Sequence, residues 1–178
     1  PRNLMNAVRI SVAQEAKERG VLVTLNDEIH SARYVRKTHT IALESFKSGQ
    51  KGMLGYVDGG KVVFYYRPES RTVFPEHRID SKVDLIKLAA GSDTKFIEAT
   101  VEKSSSGLVV EAFGRGNIPP KVLEALFDAR RRGLMVVITS RCFEGRSIIP
   151  NEWREEGLIC GHDLDGLKAR ILLMLCLG

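Results

Sequence analysis

The sequence predicts an α/β protein in two pieces. The first piece is the C-terminal part of a larger parallel-sheet domain with a β-hairpin, and the second is a smaller complete α/β domain with a parallel sheet. Three observations support this prediction. A helical apolar pattern leads into an apolar strand, two β-rich runs flank Asp58-Gly59-Gly60, and strands alternate with helices through the second half.

The first piece, residues 1–68, begins with apolar residues at helical spacing, which predict a helix over residues 3–20 that stops at a glycine. The compact apolar run at 21–25 predicts a buried strand that ends at Asn26-Asp27, and a helix that feeds such a strand is the usual half of an α/β unit. The runs at 54–57 and 61–66 predict the two arms of the hairpin.

The segment at 69–81 loses all periodicity, and its charged and short polar residues predict a linker. Residues 82–178 then alternate between strand and helix patterns, which predicts a parallel sheet with right-handed crossovers. The predicted strands are 83–89, 108–113, 135–139 and 157–160, the predicted helices are 93–103, 119–132 and 165–175, and a loop holds Trp153.

Composition narrows the class of protein. A hydrophobic content of 43% and a charged content of 28% are ordinary for a soluble protein, and no apolar segment approaches the roughly 20 residues of a membrane span. The net charge is +5, but the basic residues are scattered along the chain. Their dense run, Arg130-Arg131-Arg132, closes a predicted helix, so we expect no nucleic-acid partner. The three cysteines each have apolar neighbours, which predicts small core residues in a reducing, cytoplasmic compartment. The cysteines and the four histidines lack ligand spacing, which predicts no metal or cofactor.

Lys37 follows the first predicted strand within a basic and hydroxyl-rich stretch. Base rates favour an ordinary surface lysine at such a position. A lysine becomes catalytic when desolvation or a neighbouring charge lets it exchange protons near neutral pH, usually beside a carboxylate or a hydroxyl. Thr38 and Thr40 supply hydroxyls, but the local sequence offers no convincing carboxylate, so the local residues alone do not make Lys37 catalytic.

Asn117 closes a second candidate segment, which ends a predicted strand and opens a predicted helix. In parallel α/β sheets, functional groups gather at the carboxyl ends of strands. Gly114 and Gly116 allow close backbone approach there, and exposed amides could bind an anion. Spacing alone still favours a turn or capping role for Asn117.

Runs of residues along the chain carry a family resemblance. They include Asn3-Leu4-Met5-Asn6-Ala7-Val8, Asn26-Asp27-Glu28-Ile29, Lys37-Thr38-His39-Thr40, Leu54-Gly55-Tyr56-Val57, Gly114-Arg115-Gly116-Asn117 and Val136-Val137-Ile138-Thr139-Ser140-Arg141. In order and spacing, these runs resemble bacterial-type L-asparaginases of the asparaginase/glutaminase family. The resemblance covers nearly the whole chain and is weakest at 69–81 and 144–156.

The resemblance implies hydrolysis of L-asparagine, and more weakly of L-glutamine, to the acid and ammonia through a threonine nucleophile and an acyl-enzyme. It implies that Lys37 is the lysine of a Thr-Asp-Lys group that activates the nucleophile. It implies that Asn117 reaches the active site of a neighbouring subunit in a homodimer or homotetramer. An acidic residue downstream often helps to hold the substrate amino group, and the candidates here are Glu152, Glu155 and Glu156.

The family's glycine-rich nucleophile motif and its other substrate-binding motifs would precede Pro1. We therefore expect the chain to represent the C-terminal half of such an enzyme, to be inactive alone, and to associate with the missing N-terminal half through one shared sheet. Two alternatives remain: the glutamine-hydrolysing subunit of a transfer-RNA-dependent amidotransferase, and a non-catalytic binding module on the same scaffold.

Overall fold

The structure is a computed structural model that describes residues 1–68, 72–74 and 78–178. It confirms the α/β class, because it combines a four-stranded parallel sheet with antiparallel sheets. The chain divides into two compact units, Pro1–Val73 and Phe74–Gly178. Each unit has its own sheet and its own buried cluster.

The predicted domain boundaries stay a prediction. The division after Val73 lies within the predicted linker at 69–81. Of that linker, residues 69–71 and 75–77 lie outside the described residues.

The first unit combines one helix with short strands. The elements are α1 (Arg2–Val12), β1 (Leu22–Leu25), β2 (Glu28–Ser31), β3 (Arg36–Lys37), β4 (Phe46–Lys47), β5 (Gly55–Asp58) and β6 (Lys61–Phe64), with 3-10 helices at Gln14–Ala16 and Gly49–Lys51. The strand order in the larger sheet is β1-β2-β5-β6, and β3 and β4 form a separate two-stranded ribbon. Apolar side chains from the helix and the sheet form the core, which includes Ile10, Ile29 and Val57.

Two expectations for this unit are corrected. The helix ends at Val12 and not at Gly20, because Ala13 adopts an extended backbone and a 3-10 turn follows. The strand predicted at 21–25 is a half-buried arm of an antiparallel hairpin with β2. Asn26 and Asp27 form its two-residue turn, both with positive φ (50° and 66°), which is the backbone of a twist-matched hairpin turn.

The predicted glycine hairpin is confirmed. β5 pairs antiparallel with β6, and Asp58 opposes Lys61 across the turn. Gly59 and Gly60 occupy that turn with φ of 52° and 85°, a conformation that glycine adopts without a steric penalty.

The second unit contains the predicted parallel sheet. The elements are β7 (Val83–Lys87), α2 (Lys95–Glu102), β8 (Gly107–Ala112), α3 (Pro120–Arg131), β9 (Met135–Ser140), α4 (Asn151–Glu155), β10 (Ile159–Cys160) and α5 (Gly166–Leu177). The strand order in the sheet is β10-β9-β8-β7. β8 and β9 are apolar and buried because α2 and α3 contribute to one hydrophobic cluster and α5 to another.

Three details of this unit differ from expectation. Trp153 lies in the short helix α4 and not in a loop, and β10 is shorter than the predicted strand at 157–160. Cys142 and Cys176 are exposed, whereas the sequence suggested small core residues.

In the part of the chain that the structure describes, every helix is too short or too polar to cross a membrane.

Candidate functional site

Lys37 lies on the ribbon formed by β3 and β4. It pairs with Phe46 in the register of the ribbon, and its Nζ lies 6.0 Å from the centre of the Phe46 ring. The lysine side chain is exposed. Within residues 1–68, 72–74 and 78–178, no carboxylate forms an ion pair with this amine.

The ribbon leaves β2 through a tight turn at Ser31. The carbonyl of Ser31 accepts hydrogen bonds from the backbone N–H groups of Tyr34 and Val35, each at 3.0 Å. The N–H of Thr38 donates to the carbonyl of Ser45 at 2.6 Å and extends the ribbon by one more bond. These bonds fix the path of the chain on both sides of Lys37.

The far end of the ribbon is tied to the β1–β2 turn. The side-chain amide of Asn26 donates to the carbonyl of Leu43 at 2.7 Å. The turn is itself held by α1, because the N–H of Asn26 donates to Asn3 Oδ1 at 3.1 Å and Asp27 Oδ1 accepts from Asn6 Nδ2 at 2.7 Å. The helix, the hairpin turn and the ribbon thus form one hydrogen-bonded assembly.

A third tether joins the end of β4 to the middle of β2. His30 is 2% exposed, and its Nδ1 lies 2.9 Å from the Oγ of Ser48, the residue directly after β4. His30 Nε2 lies 3.1 Å from Glu28 Oε2, close enough for an electrostatic contact but without hydrogen-bond alignment. Burial is the largest cause that lowers the pKa of His30, Lys47 lowers it as well, and Glu28 raises it without reversing the net decrease.

Asn117 closes a compact loop after β8. Phe113 and Asn117 form an isolated antiparallel bridge, in which each N–H donates to the other's carbonyl at 3.0 and 2.8 Å. The intervening Gly114 and Gly116 have φ of 46° and 126°. A Cβ at Gly116 would lie 2.9 Å from the carbonyl oxygen of Ile148, so this position requires glycine for both its conformation and its space.

This loop is fixed to the carboxyl ends of the neighbouring strands. The Arg141 guanidinium, just after β9, lies 4.2 Å from the Phe113 ring centre and donates to the carbonyl of Leu88, just after β7, at 3.2 Å. The Ser140 hydroxyl donates to the carbonyl of Gly114. Asn117 is exposed on this braced loop, and its side chain is therefore available to a ligand or a second molecule.

The three glutamate candidates are placed differently along α4 and its end. Glu156 forms an ion pair with Arg131 at 3.0 Å, in the last turn of α3. Because α3 begins just after Asn117 and its 12 residues span about 18 Å, Glu156 lies at the other end of that helix. Glu155 adjoins it, and Glu152 is nearest in sequence to Ile148, which bonds the Asn117 loop through Arg115.

The structure thus places Lys37 and Asn117 in different units. Sequence patterns did not reveal His30 and Ser48, because a single histidine in a strand and a single serine after one carry no spacing signal. Asn26 and Asp27 were recognised as a boundary after a strand, but their part in tethering the ribbon depends on tertiary contacts. In the described parts of the chain, no group of three His, Cys, Asp or Glu side chains is placed to hold a metal ion.

Comparison with known proteins identifies two family matches. Residues 1–70 match the N-terminal asparaginase model, and residues 82–178 match the glutaminase/asparaginase C-terminal domain. The solved structure of a probable cytoplasmic L-asparaginase from Campylobacter jejuni superimposes with a TM-score of 0.92 at 36% sequence identity, covering 99% of this chain and 57% of that chain.

Curated relatives agree with these matches. An L-asparaginase of Bacillus licheniformis is 33% identical over 99% of this chain and 57% of its own length. A probable periplasmic L-asparaginase of Haemophilus influenzae is 34% identical, with 99% and 53% covered, and a glutaminase-asparaginase of Pseudomonas fluorescens is 33% identical, with 98% and 51% covered. The chain spans about half the length of these relatives. It belongs to the glutaminase/asparaginase family.

Proposed function

We propose that this chain forms part of an asparaginase-type amidohydrolase that converts L-asparagine to L-aspartate and ammonia. The observation that supports this most directly is the ribbon that holds Lys37. Its strands are only two residues long, yet it is tethered to β2 by the turn at Ser31 and by the bond between Ser48 and His30, and to the β1–β2 turn by the bond from Asn26 to Leu43. Such bracing suits a side chain that must be placed accurately for chemistry.

The proposed reaction proceeds through a threonine acyl-enzyme. As the threonine hydroxyl attacks the substrate amide carbon, its proton passes by way of the side-chain amine of Lys37 to the departing nitrogen, which leaves as ammonia. Water then hydrolyses the acyl ester and releases aspartate. The threonine and the aspartate that would orient Lys37 come from a segment outside the 178 residues, and the chain alone is inactive. No metal or other cofactor takes part.

Asn117 is proposed to act across a subunit interface. Its exposed side chain stands on a loop that is braced by Arg141 and Ser140, which suits an amide that must meet a second molecule in a defined position. The assembly is therefore a homodimer or homotetramer. We also propose a cytoplasmic location, supported by the Campylobacter jejuni protein, although the Haemophilus influenzae relative is described as periplasmic.

The first experiment tests Lys37 in the full-length gene product. Ammonia release is measured with L-asparagine and L-glutamine for the wild type, for Lys37→Met, and for the matched control Lys61→Met, which removes an exposed strand lysine. Loss of a proton-transfer group should lower kcat of Lys37→Met by about 100-fold to 10,000-fold with a small change in KM. Equal activity in the two variants would refute the role of Lys37.

The second experiment tests whether Asn117 acts in trans. Asn117→Ala subunits and Lys37→Met subunits are each assayed alone and after 1:1 subunit exchange. If each site combines Lys37 from one subunit with Asn117 from its partner, half of the dimers are mixed and each has one intact site. Activity should then recover to about a quarter of the wild-type value. No recovery, with subunit exchange verified by mass spectrometry, would contradict action across the interface.

The same assay ranks the substrates and tests the two alternatives. One of the relatives is a glutaminase-asparaginase, so kcat/KM for glutamine is compared directly with that for asparagine. A strict preference for glutamine together with an N-terminal extension domain would favour the subunit of a transfer-RNA-dependent amidotransferase. Absence of ammonia release from both substrates would favour a binding module.

A further inference from the structure

We propose that His30 is a positioning residue for Lys37, which it acts on through the hydroxyl of Ser48. The inference rests on the proposed function, because it concerns the placement of the lysine in that reaction. It derives from the geometry of the first unit, in which a buried histidine on β2 holds the strand that pairs with the lysine-bearing strand.

The connection between the two residues is short. Ser48 directly follows β4, and Lys37 pairs with Phe46 two residues earlier on that strand. Ser48 is 8% exposed, so water has little access to replace its bond to His30. The covalent turn at Ser31 fixes β3 to β2, and the bond between His30 and Ser48 fixes β4 to the same strand. Both strands of the ribbon are therefore attached to β2.

The protonation of the ring sets the direction of the bond between His30 and Ser48. The Glu28 carboxylate beside Nε2 can only accept, which favours the tautomer with its proton on Nε2. Nδ1 is then an acceptor, and the Ser48 hydroxyl donates to it. Protonation would place an N–H on Nδ1 as well and reverse that bond. Burial of the ring disfavours the protonated form, as does Lys47, whereas Glu28 acts in the opposite sense.

The variants separate positioning from simple filling of space. Ser48→Ala removes the donor, and His30→Phe keeps a ring but removes the acceptor. His30→Asn retains an acceptor oxygen near the place of Nδ1. The matched control is Thr100→Val, which removes another buried hydroxyl, one that donates to the Phe96 carbonyl at 2.8 Å in the second unit.

The experiment uses the full-length protein with two readouts. The first is kcat and KM for L-asparagine, and the second is hydrogen exchange of peptides that cover residues 36–47, with β8 as the internal reference. Ser48→Ala and His30→Phe should lower kcat by about threefold to tenfold, which corresponds to the loss of one neutral hydrogen bond, with KM nearly unchanged. Both variants should also accelerate hydrogen exchange in the ribbon. His30→Asn should keep most of the wild-type kcat and most of the wild-type protection from exchange.

The outcomes are distinct from those that test the proposed function. If the wild type releases no ammonia from either substrate, the proposed function fails, and exchange in the ribbon still decides whether His30 holds it. Wild-type exchange and wild-type kcat in both Ser48→Ala and His30→Phe would overturn the inference. An equal fall in kcat for Thr100→Val would also overturn it, because the effect would then be general destabilisation.

Discussion

Replacing Gly116 by alanine tests whether the Asn117 loop is as tightly built as its geometry indicates. Gly116 has φ of 126°, and a Cβ there would lie 2.9 Å from the Ile148 carbonyl oxygen, a backbone atom that cannot rotate away. The backbone conformation costs alanine about 1–3 kcal/mol. Displacing Ile148 weakens its 2.7 Å hydrogen bond to Arg115, worth a further 0.5–1.5 kcal/mol or so. We expect a loss of about 1.5–4.5 kcal/mol in the free energy of unfolding.

The assay is urea unfolding followed by the fluorescence of Trp153, the single tryptophan in this sequence, which packs against the core of the second unit. With a slope near 2 kcal/mol per molar, the midpoint should fall by about 1–2 M. The control is Gly91→Ala, at a φ of 80° with no atom within 4 Å of the new Cβ, which should cost only about 1–2 kcal/mol. If Gly116→Ala is no more destabilising than Gly91→Ala, the close approach to Ile148 contributes nothing and the reasoning fails.

Two further predictions concern stability. Leu126→Ala, at a fully buried core position, should lower the free energy of unfolding by about 2–5 kcal/mol in the same assay. The control Leu167→Ala, at a 66% exposed position, should lower it by less than about 0.5 kcal/mol. Similar losses in the two variants would contradict the assigned core. Because the pKa of His30 is lower in the folded state than its ordinary value of about 6.5, the unfolded chain binds this proton more readily. The contribution of neutral His30 to the free energy of unfolding should therefore be complete above about pH 6.5 and should decrease as the pH falls toward the pKa of the folded state. Urea unfolding followed by circular dichroism should show that His30→Asn removes this part of the pH dependence.

The parallel sheet of the second unit could be predicted from sequence almost strand by strand. Buried parallel strands such as β8 and β9 are covered on both faces, so they appear as continuous apolar runs between helical patterns. Helix α4 was missed because five residues are too few to establish a helical period. Trp153 packs against the core, but a partly buried aromatic side chain is compatible with a loop as well as with a helix.

The first unit was harder to predict because its structure depends on contacts between distant residues. The Asn26-Asp27 turn was interpreted as the end of a buried strand, since a strand that continues into a hairpin and one that precedes a loop look alike over five residues. The β3–β4 ribbon has too few residues for an alternating pattern. It depends instead on the bonds from Asn26 to Leu43 and from His30 to Ser48, which no local pattern encodes.

The proposed role of Lys37 does not follow from the local sequence, and its exposure in the structure would by itself favour an ordinary surface lysine. An ordinary surface lysine does not require the strand beneath it to be anchored at both ends. A ribbon of two-residue strands has little stability of its own, so its tethers to β2 and to the β1–β2 turn determine its position. If those tethers served stability alone, weakening the His30 tether would change unfolding and leave kcat unchanged. If they serve chemistry, kcat should fall while KM stays nearly constant, because the lysine would reach the reacting proton less often in the correct geometry.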